Sequence, residues 1–366
     1  MKVLMLSIDA AIAQSGSRSF NRMKELSDLV DELFIIVFKK GSQVKIKDGK
    51  LKIWSTPYVG RWRSLMWAYG FGKKLCLEHE VQVVTAQDPY YLGLVGLSLA
   101  RKFKLGLEVQ VHGWEKYFGL RKIVAKYVIP KAQAIRVVSK RLEDQLVDKF
   151  SVKKEKIICL PIYTRIKRPE DSSRDMNTNG KFIFITISRL VGVKNIEMQV
   201  RALGKILESF PNTALWVIGH GPEREKLDKM VSDLGLREDV NFFDWQSDVS
   251  KFYNSADAFV LTSNSEGWAM VVIEAASFGL PIIMTDVGCA EEVIKDGESG
   301  LVIPVGDEDA LVGAMKRLIE DPSMAKRLGE GASRAIQQLS SKEELLSRYR
   351  KSWQIAIENN QRGNGR

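Results

Sequence analysis

Two carboxylates and two cations stand where strands give way to loops in the second half of the chain. Glu266 and Glu274 lie eight residues apart in the stretch 265–275 (SEGWAMVVIEA). Glu266 falls in the loop after a strand expected over 258–262. Glu274 falls about two turns into the helix that follows, among Val271, Val272, Ile273, Ala275 and Ala276. A carboxylate in apolar company is costly unless donors satisfy it. A sugar diol offers such a donor pair; a nearby basic side chain would serve equally. Arg189 and Lys194 bracket Gly192 and open a helix. Two cations with helix N-terminal amides suit a phosphate, although a solvated loop holds the same residues. Gly219-His220-Gly221-Pro222 lets a backbone approach a ligand closely, or simply turns a strand into a helix with Pro222 near its first position. Gly267 and the amides of Trp268, Ala269 and Met270 open another helix and form a further candidate anion site. Thr285-Asp286-Val287-Gly288 is one more strand-end loop.

Such loops need strands to hold them. Apolar runs at 2–8, 33–38, 81–85, 106–111 and 134–138 read as strands; helical spacing recurs at 17–30, 62–79, 90–103, 117–127 and 140–150. A polar stretch at 168–180 interrupts the alternation. It resumes with strands at 182–187, 214–218, 258–262 and 281–284 and helices at 195–210, 223–234, 269–278, 307–320, 322–339 and 343–358. Alternating apolar strands and amphipathic helices predict parallel sheets covered on both faces. The expected fold class is α/β, two doubly wound Rossmann-like domains facing across a cleft. The expected boundaries are 1–165, a linker at 166–180, 181–340, and a C-terminal helix at 341–366 able to pack back on the first domain. The polar tail 359–366 is expected to fray.

At 366 residues, 45% hydrophobic and 27% charged, the chain has material for about two ordinary cores. Three cysteines (Cys76, Cys159, Cys289) and three histidines (His79, His112, His220), all dispersed, exclude a disulfide framework and argue against a zinc site. Charge is uneven. Residues 1–156 carry 29 Lys and Arg against 15 Asp and Glu, net +14; residues 157–366 carry 26 against 30, net −4. The first half is therefore expected to meet something anionic. The N-terminus lacks a signal-peptide pattern, and the uncharged stretch 89–100 is too short to span a bilayer. A cytoplasmic protein, peripheral on the membrane face, is expected.

In order, Arg189 with Lys194, the stretch 219–227 (GHGPEREKL), the Glu266-x7-Glu274 pair and the stretch 276–288 (ASFGLPIIMTDVG) resemble the retaining nucleotide-sugar glycosyltransferases of the GT-B fold, family four (glycosyl transferases group 1). The resemblance implies that Glu274 holds the donor ribose hydroxyls and Glu266 the donor-sugar hydroxyls near the reacting carbon. It implies that Arg189 and Lys194 neutralise the diphosphate leaving group, where charge builds in the transition state. Glu266, His112, Arg189 and Lys194 are the catalytic candidates. Gly16, Gly219, Gly221, Gly267, Trp268, Ala269 and Met270 join them around the donor. Ala269 replaces a glycine common in the family, and Gly16 stands where the family often has two glycines. Arg18, Gln87 and Asp88 fall on the acceptor side. Asp244, Trp245 and Gln246 are candidates for the base. The implied donor is a UDP- or GDP-sugar and the acceptor a glycan or lipid-linked glycan of cell-surface polysaccharide or glycolipid. No cofactor or metal is expected: Asp307-Glu308-Asp309 has Asp-x-Asp spacing but reads as a helix cap.

Two segments free of acidic residues, 61–74 (RWRSLMWAYGFGKK) and 117–131 (YFGLRKIVAKYVIPK), mix aromatics with cations at helical spacing. They suit an anionic membrane surface, or they bury their apolar faces as core helices do. Competing functions are a basic nucleic-acid binder, which lacks any recognisable binding signature, and a sugar-nucleotide epimerase of the same fold. A dehydrogenase is disfavoured because no GxGxxG follows the first strand.

Overall fold

The computed structural model describes residues 1–39, 41–57, 60–114, 117–163, 176–246 and 248–364, without the side chains of Arg61 and Asn364. The expected linker at 166–180 lies outside the described residues up to 175. The chain forms two compact units, Met1–Pro161 with Ser340–Arg366, and Ile162–Leu339.

The first unit runs β1 (Lys2–Ser7), α1 (Arg18–Ser27), β2 (Glu32–Val37), β3 (Lys45–Asp48), β4 (Leu51–Ser55), α2 (Arg61–His79), β5 (Val83–Ala86), α3 (Tyr91–Phe103), β6 (Gly106–Val111), α4 (Gly119–Val128), β7 (Ala134–Val137), α5 (Lys140–Phe150) and β8 (Ile157–Cys159). Its sheet has the order β3-β4-β2-β1-β5-β6-β7-β8, parallel except for the β3–β4 hairpin. The central strands β1 and β2 are apolar almost throughout because helices cover both faces, whereas β6 and β7 bury an ion pair, Glu108 with Arg136 at 3.1 Å. Alternation divides the β1 side chains: Val3 and Met5 pack with α1 through Phe20, Met23 and Leu26, and Leu4 approaches α2 at Gly72.

The second unit runs β9 (Phe182–Ile187), α6 (Ile196–Leu207), β10 (Thr213–Ile218), α7 (Arg224–Asp233), β11 (Val240–Phe243), α8 (Ser250–Ser255), β12 (Ala258–Leu261), α9 (Met270–Ser277), β13 (Ile282–Thr285), β14 (Leu301–Ile303), α10 (Glu308–Glu320) and α11 (Pro322–Gln337). Its sheet is wholly parallel, β11-β10-β9-β12-β13-β14. The chain then returns to the first unit as α12 (Lys342–Asn364).

Helix α12 corrects one expectation. The tail does not fray at 359: it stays helical to 364 because the first unit supplies partners. Trp353 is fully buried in that unit's core. Asn359 Nδ2 donates to the Gln133 carbonyl at 2.9 Å and Asn360 Nδ2 to that of Lys104 at 2.6 Å. Among the described residues, no helix is long and apolar enough to cross a membrane.

The acidic run at 307–309 caps and braces a helix. Asp307 Oδ1 accepts from the Ala310 amide at 2.9 Å. Glu308 and Asp309 receive Arg201 and Lys205 of α6 at 2.6–3.0 Å. Losing an N-cap side chain costs about 1 kcal/mol. Asp307→Ala is therefore expected to lower the thermal midpoint by ~2–4 °C in a melt followed by circular dichroism.

Candidate active site

In an open parallel sheet, ligands bind beyond the strand C-termini where the strand order reverses. In the second unit that point lies between β9 and β12, the strands from which the chain winds outward in opposite directions. The loop after β9 carries Arg189 and Lys194; the loop after β12 carries Glu266. The topology thus sets side by side two loops distant in sequence.

They meet in an ion pair, Lys194 Nζ with Glu266 Oε1. Both side chains are largely buried, 14% and 9% exposed. Ser263 Oγ donates to the same Glu266 oxygen at 2.7 Å. Thr285 Oγ1 in turn donates to the Ser263 carbonyl at 2.7 Å. On the other side, Thr262 Oγ1 lies 3.1 and 3.0 Å from the carbonyl oxygens of Lys194 and Asn195. Gln199 Nε2 donates to Thr262 Oγ1 at 2.8 Å from within the core. The Asn195 backbone is left-handed, φ 49°. A buried polar network therefore fixes the turn that presents Lys194.

The glycines of 219–221 serve a close approach, but between two loops of the protein itself. A Cβ at Gly219 would sit 1.9 Å from the Ser188 carbonyl oxygen, and one at Gly221 would sit 2.2 Å from that of Leu190. Leu190 N donates to the His220 carbonyl at 3.0 Å. Two adjoining cavities open here. The larger, about 500 Å³, is lined by Arg189, His220, Gly221, Arg224 and Asp244 among others. The smaller, about 210 Å³, is lined by Arg189, Gly219, His220, Trp245, Gln246 and Val271 among others. Arg189 and His220 are exposed and shared by both. Lys194, Glu266 and Glu274 are not among the lining residues of either.

Glu274, half-buried on α9, has a phenol beside it. Tyr253 Oη lies 3.3 Å from Glu274 Oε2 and 3.4 Å from the Val271 carbonyl oxygen. Burial raises the Tyr253 pKa well above its ordinary value, and the Glu274 charge raises it further. The phenol thus keeps its proton for donation. Gly267, Trp268 and Ala269 are buried and Met270 is exposed at the start of α9. Ala269 occupies the left-handed region at φ 68°. That conformation costs a non-glycine residue about 1–2 kcal/mol; glycine gives back ~0.4–1 kcal/mol through the unfolded chain. Ala269→Gly is expected to stabilise the protein by about 0.5–1 kcal/mol, read as a raised urea midpoint at constant slope.

Gly16, Arg18, Gln87, Asp88 and His112 belong to the first unit. The loops after β1 and β5 flank that unit's own point of reversal. Loop 14–18 does not follow β1 directly: a 3-10 turn at Ala10–Ala13 intervenes. Asp9 caps this turn through Ala11 N at 3.0 Å and receives Ser19 Oγ at 2.6 Å. Gly16 has φ 82°. Gln87 is engaged by Ser7 Oγ, and Asp88 Oδ1 accepts from Tyr90 N at 2.7 Å at the head of α3. His112 follows β6, its Nε2 3.1 Å from Gln110 Oε1; Gln110 Nε2 donates to Thr85 Oγ1 at 2.9 Å. Crowding by protein strips part of its water and, with Arg136 and Arg22 nearby, lowers its pKa, so the ring is neutral at neutral pH.

Several supporting residues escape sequence reasoning: Ser263, Thr262, Gln199 and Tyr253; Gly288 is read only as part of a strand-end loop. Gly288 has φ 60°, and a Cβ there would lie 3.0 Å from both Glu266 Cβ and the Trp268 carbonyl oxygen. Only that glycine carried a signal, as part of the stretch 285–288.

Comparison with known proteins identifies the family and the fold. Residues 168–335 match the family model described as Glycosyl transferases group 1, and residues 24–162 match Glycosyltransferase Family 4. The lipopolysaccharide core biosynthesis glycosyltransferase LpsD of Rhizobium meliloti is 30% identical over 198 residues, 54% of this chain and 57% of that protein. LpsE of the same organism matches over 48% of its length, so the chain spans about half of these two relatives. A GDP-mannose-dependent phosphatidylinositol monomannoside mannosyltransferase of Mycolicibacterium smegmatis is 27% identical over 70% of this chain and 72% of its own. Among solved structures, sucrose-phosphate synthase from Thermosynechococcus elongatus superposes with a TM-score of 0.81 at 19% identity, covering 97% of this chain and 98% of its own. HepE of Anabaena, solved with UDP and glucose, gives 0.78 at 17% identity, covering 96% and 98%. The chain belongs to the group 1 glycosyl transferases and has the GT-B fold.

Proposed function

We propose that the protein transfers a sugar from a UDP- or GDP-sugar to a glycan or lipid-linked acceptor of cell-surface polysaccharide or glycolipid, with retention of the anomeric configuration. The observation that carries this reading is the placement of Arg189, Lys194 and Glu266 on the two loops that flank the β9–β12 reversal. Cations at that position favour the leaving diphosphate as the glycosidic bond breaks. Glu274 accepts from the ribose diol, and Glu266 from hydroxyls of the donor sugar. Trp245 and Gln246, in the smaller cavity, take the base. His112, on the first unit, is a further hydrogen-bonding candidate for a sugar hydroxyl. The two cations and the α9 amides stand in place of a metal ion.

The relatives support the acceptor class: two carry lipopolysaccharide core biosynthesis in their names and a third a phosphatidylinositol mannoside. HepE has been solved with UDP and with UDP-glucose, which supports a nucleotide-sugar donor.

The test is calorimetric titration of UDP, GDP and their common sugars in the presence of EDTA. Binding of one base class and its sugar is expected. Proton NMR of the product then reads the anomeric outcome. No binding of any nucleotide, or binding only after metal is restored, would overturn the corresponding part of the reading.

A further inference from the structure

The amphipathic segments of the first unit have an orientation that their sequence left open. Their apolar residues do not all turn inward. On α2, Trp62 and Met66 are 68% and 76% exposed; at and along α4, Phe118, Leu120 and Ile123 are 64–66% exposed. Tyr127, 44% exposed, continues that stripe one turn on. Large aliphatic and aromatic side chains rarely gather in water without a partner.

The two stripes are continuous across the head of α3. The Trp62 and Tyr91 rings are edge-on at 6.3 Å. The Arg121 guanidinium lies 5.9 Å from both the Tyr91 and Phe118 rings. Further along, Lys131 Nζ sits 4.0 Å over the Tyr127 ring, and Arg101 Nη1 donates to Tyr127 Oη at 2.9 Å. Helix α2, helix α3 and the segment 117–131 together hold ten Lys and Arg against one carboxylate, Glu78, which lies 3.8 Å from Lys74.

We propose that the outward faces of α2 and α4, joined through Tyr91 at the head of α3, form a docking surface for an anionic lipid bilayer. Aliphatic and aromatic tips enter the headgroup boundary while lysines and arginines meet the lipid phosphates. A second copy of the chain would bring like charges face to face and is disfavoured by the same count. A nucleic acid would leave Met66, Leu120 and Ile123 with nothing to pack against. The purpose of the surface, delivery of a lipid-linked acceptor, rests on the transfer reading; its chemistry does not.

Vesicle sedimentation of the full chain tests this. Vesicles of phosphatidylcholine with ~30 mol % phosphatidylglycerol are compared with phosphatidylcholine alone, at low and high salt. The protein is expected to partition onto the anionic vesicles about tenfold or more above the neutral ones, with loss at high salt. Trp62→Ser with Ile123→Ser lowers that partition by about tenfold. Lys122→Gln with Lys126→Gln lowers it and flattens its salt dependence. All four positions are at the surface, so the melting midpoint stays unchanged. Equal partition onto both vesicle types, or variants that bind as the parent does, would overturn the proposal. So would a dimer that Ile123→Ser dissolves, or binding of duplex nucleic acid in preference to vesicles. Nucleotide titration of the same variants separates the two readings: vesicle binding can fail with nucleotide affinity intact, and the reverse.

Discussion

Glu274→Ala is expected to weaken UDP or GDP binding by roughly tenfold to a hundredfold, the worth of a charge-assisted hydrogen-bond pair to a diol. The carboxylate is half-buried on α9 among apolar neighbours, with Tyr253 Oη 3.3 Å from Oε2. A carboxylate's two oxygens offer about four acceptor positions. Alanine removes them all, while the Val271 carbonyl at 3.4 Å keeps the phenol partnered. A thermal melt of the variant reads whether the fold holds. Glu274→Gln keeps one acceptor oxygen for Tyr253 but loses the charge, and should fall between parent and alanine. Tyr253→Phe should weaken binding only a few-fold, because it frees the carboxylate to turn rather than deleting it. Calorimetry on the three variants orders them. Unchanged affinity in Glu274→Ala would remove the carboxylate from the nucleotide site.

What was readable in advance follows from how each feature is encoded. The strand FIFITI at 182–187 is legible because a central parallel strand is apolar on both faces, and the structure places β9 there to the residue. Strands β11 and β14, the two edges of that sheet, are not: the exposed Asn241 interrupts β11, and β14 has three residues. The six-residue α8 is hidden because it makes less than about two turns. The end of α12 was misread because its local polarity says nothing of the partners that Gln133 and Lys104 supply.

At the candidate site, residue types and order were legible and contacts were not. Arg189, Lys194, Glu266 and Glu274 stand out as charges at strand ends. That Lys194 and Glu266 pair across 72 positions of sequence is a fact of strand order. Ser263, Thr262 and Gln199 carry no signal, since a hydroxyl or amide in a strand-end loop is common and its role comes from the neighbour it meets. The faces of α2 and α4 show the same limit. Both sides of each helix are apolar enough to be core, and only the packing against α3 decides which side is left out.

The two partners of the Lys194–Glu266 pair are expected to answer mutation with opposite signs in nucleotide affinity. Glu266→Ala removes the proposed acceptor for donor-sugar hydroxyls, so turnover should fall by about 10²–10³-fold, the usual loss for one hydrogen-bonding group in such a site. Nucleotide affinity should hold or tighten, because Lys194 no longer shares its charge with a carboxylate. Lys194→Ala should weaken UDP or GDP binding. It also leaves Glu266, 9% exposed, with Ser263 as its remaining hydrogen-bond donor among the described residues, so stability falls as well. The double variant should not show the sum of the two effects, since each half shapes the other. Isothermal titration with single-turnover kinetics on the three proteins separates binding from chemistry. If Glu266→Ala weakened the nucleotide as much as Lys194→Ala, Glu266 would be the holder of Lys194 and not a contact of the sugar. A Glu266→Gln variant then decides how the carboxylate works: rescue of turnover requires only its hydrogen bonding, whereas failure with nucleotide affinity retained shows that its charge acts on the transition state.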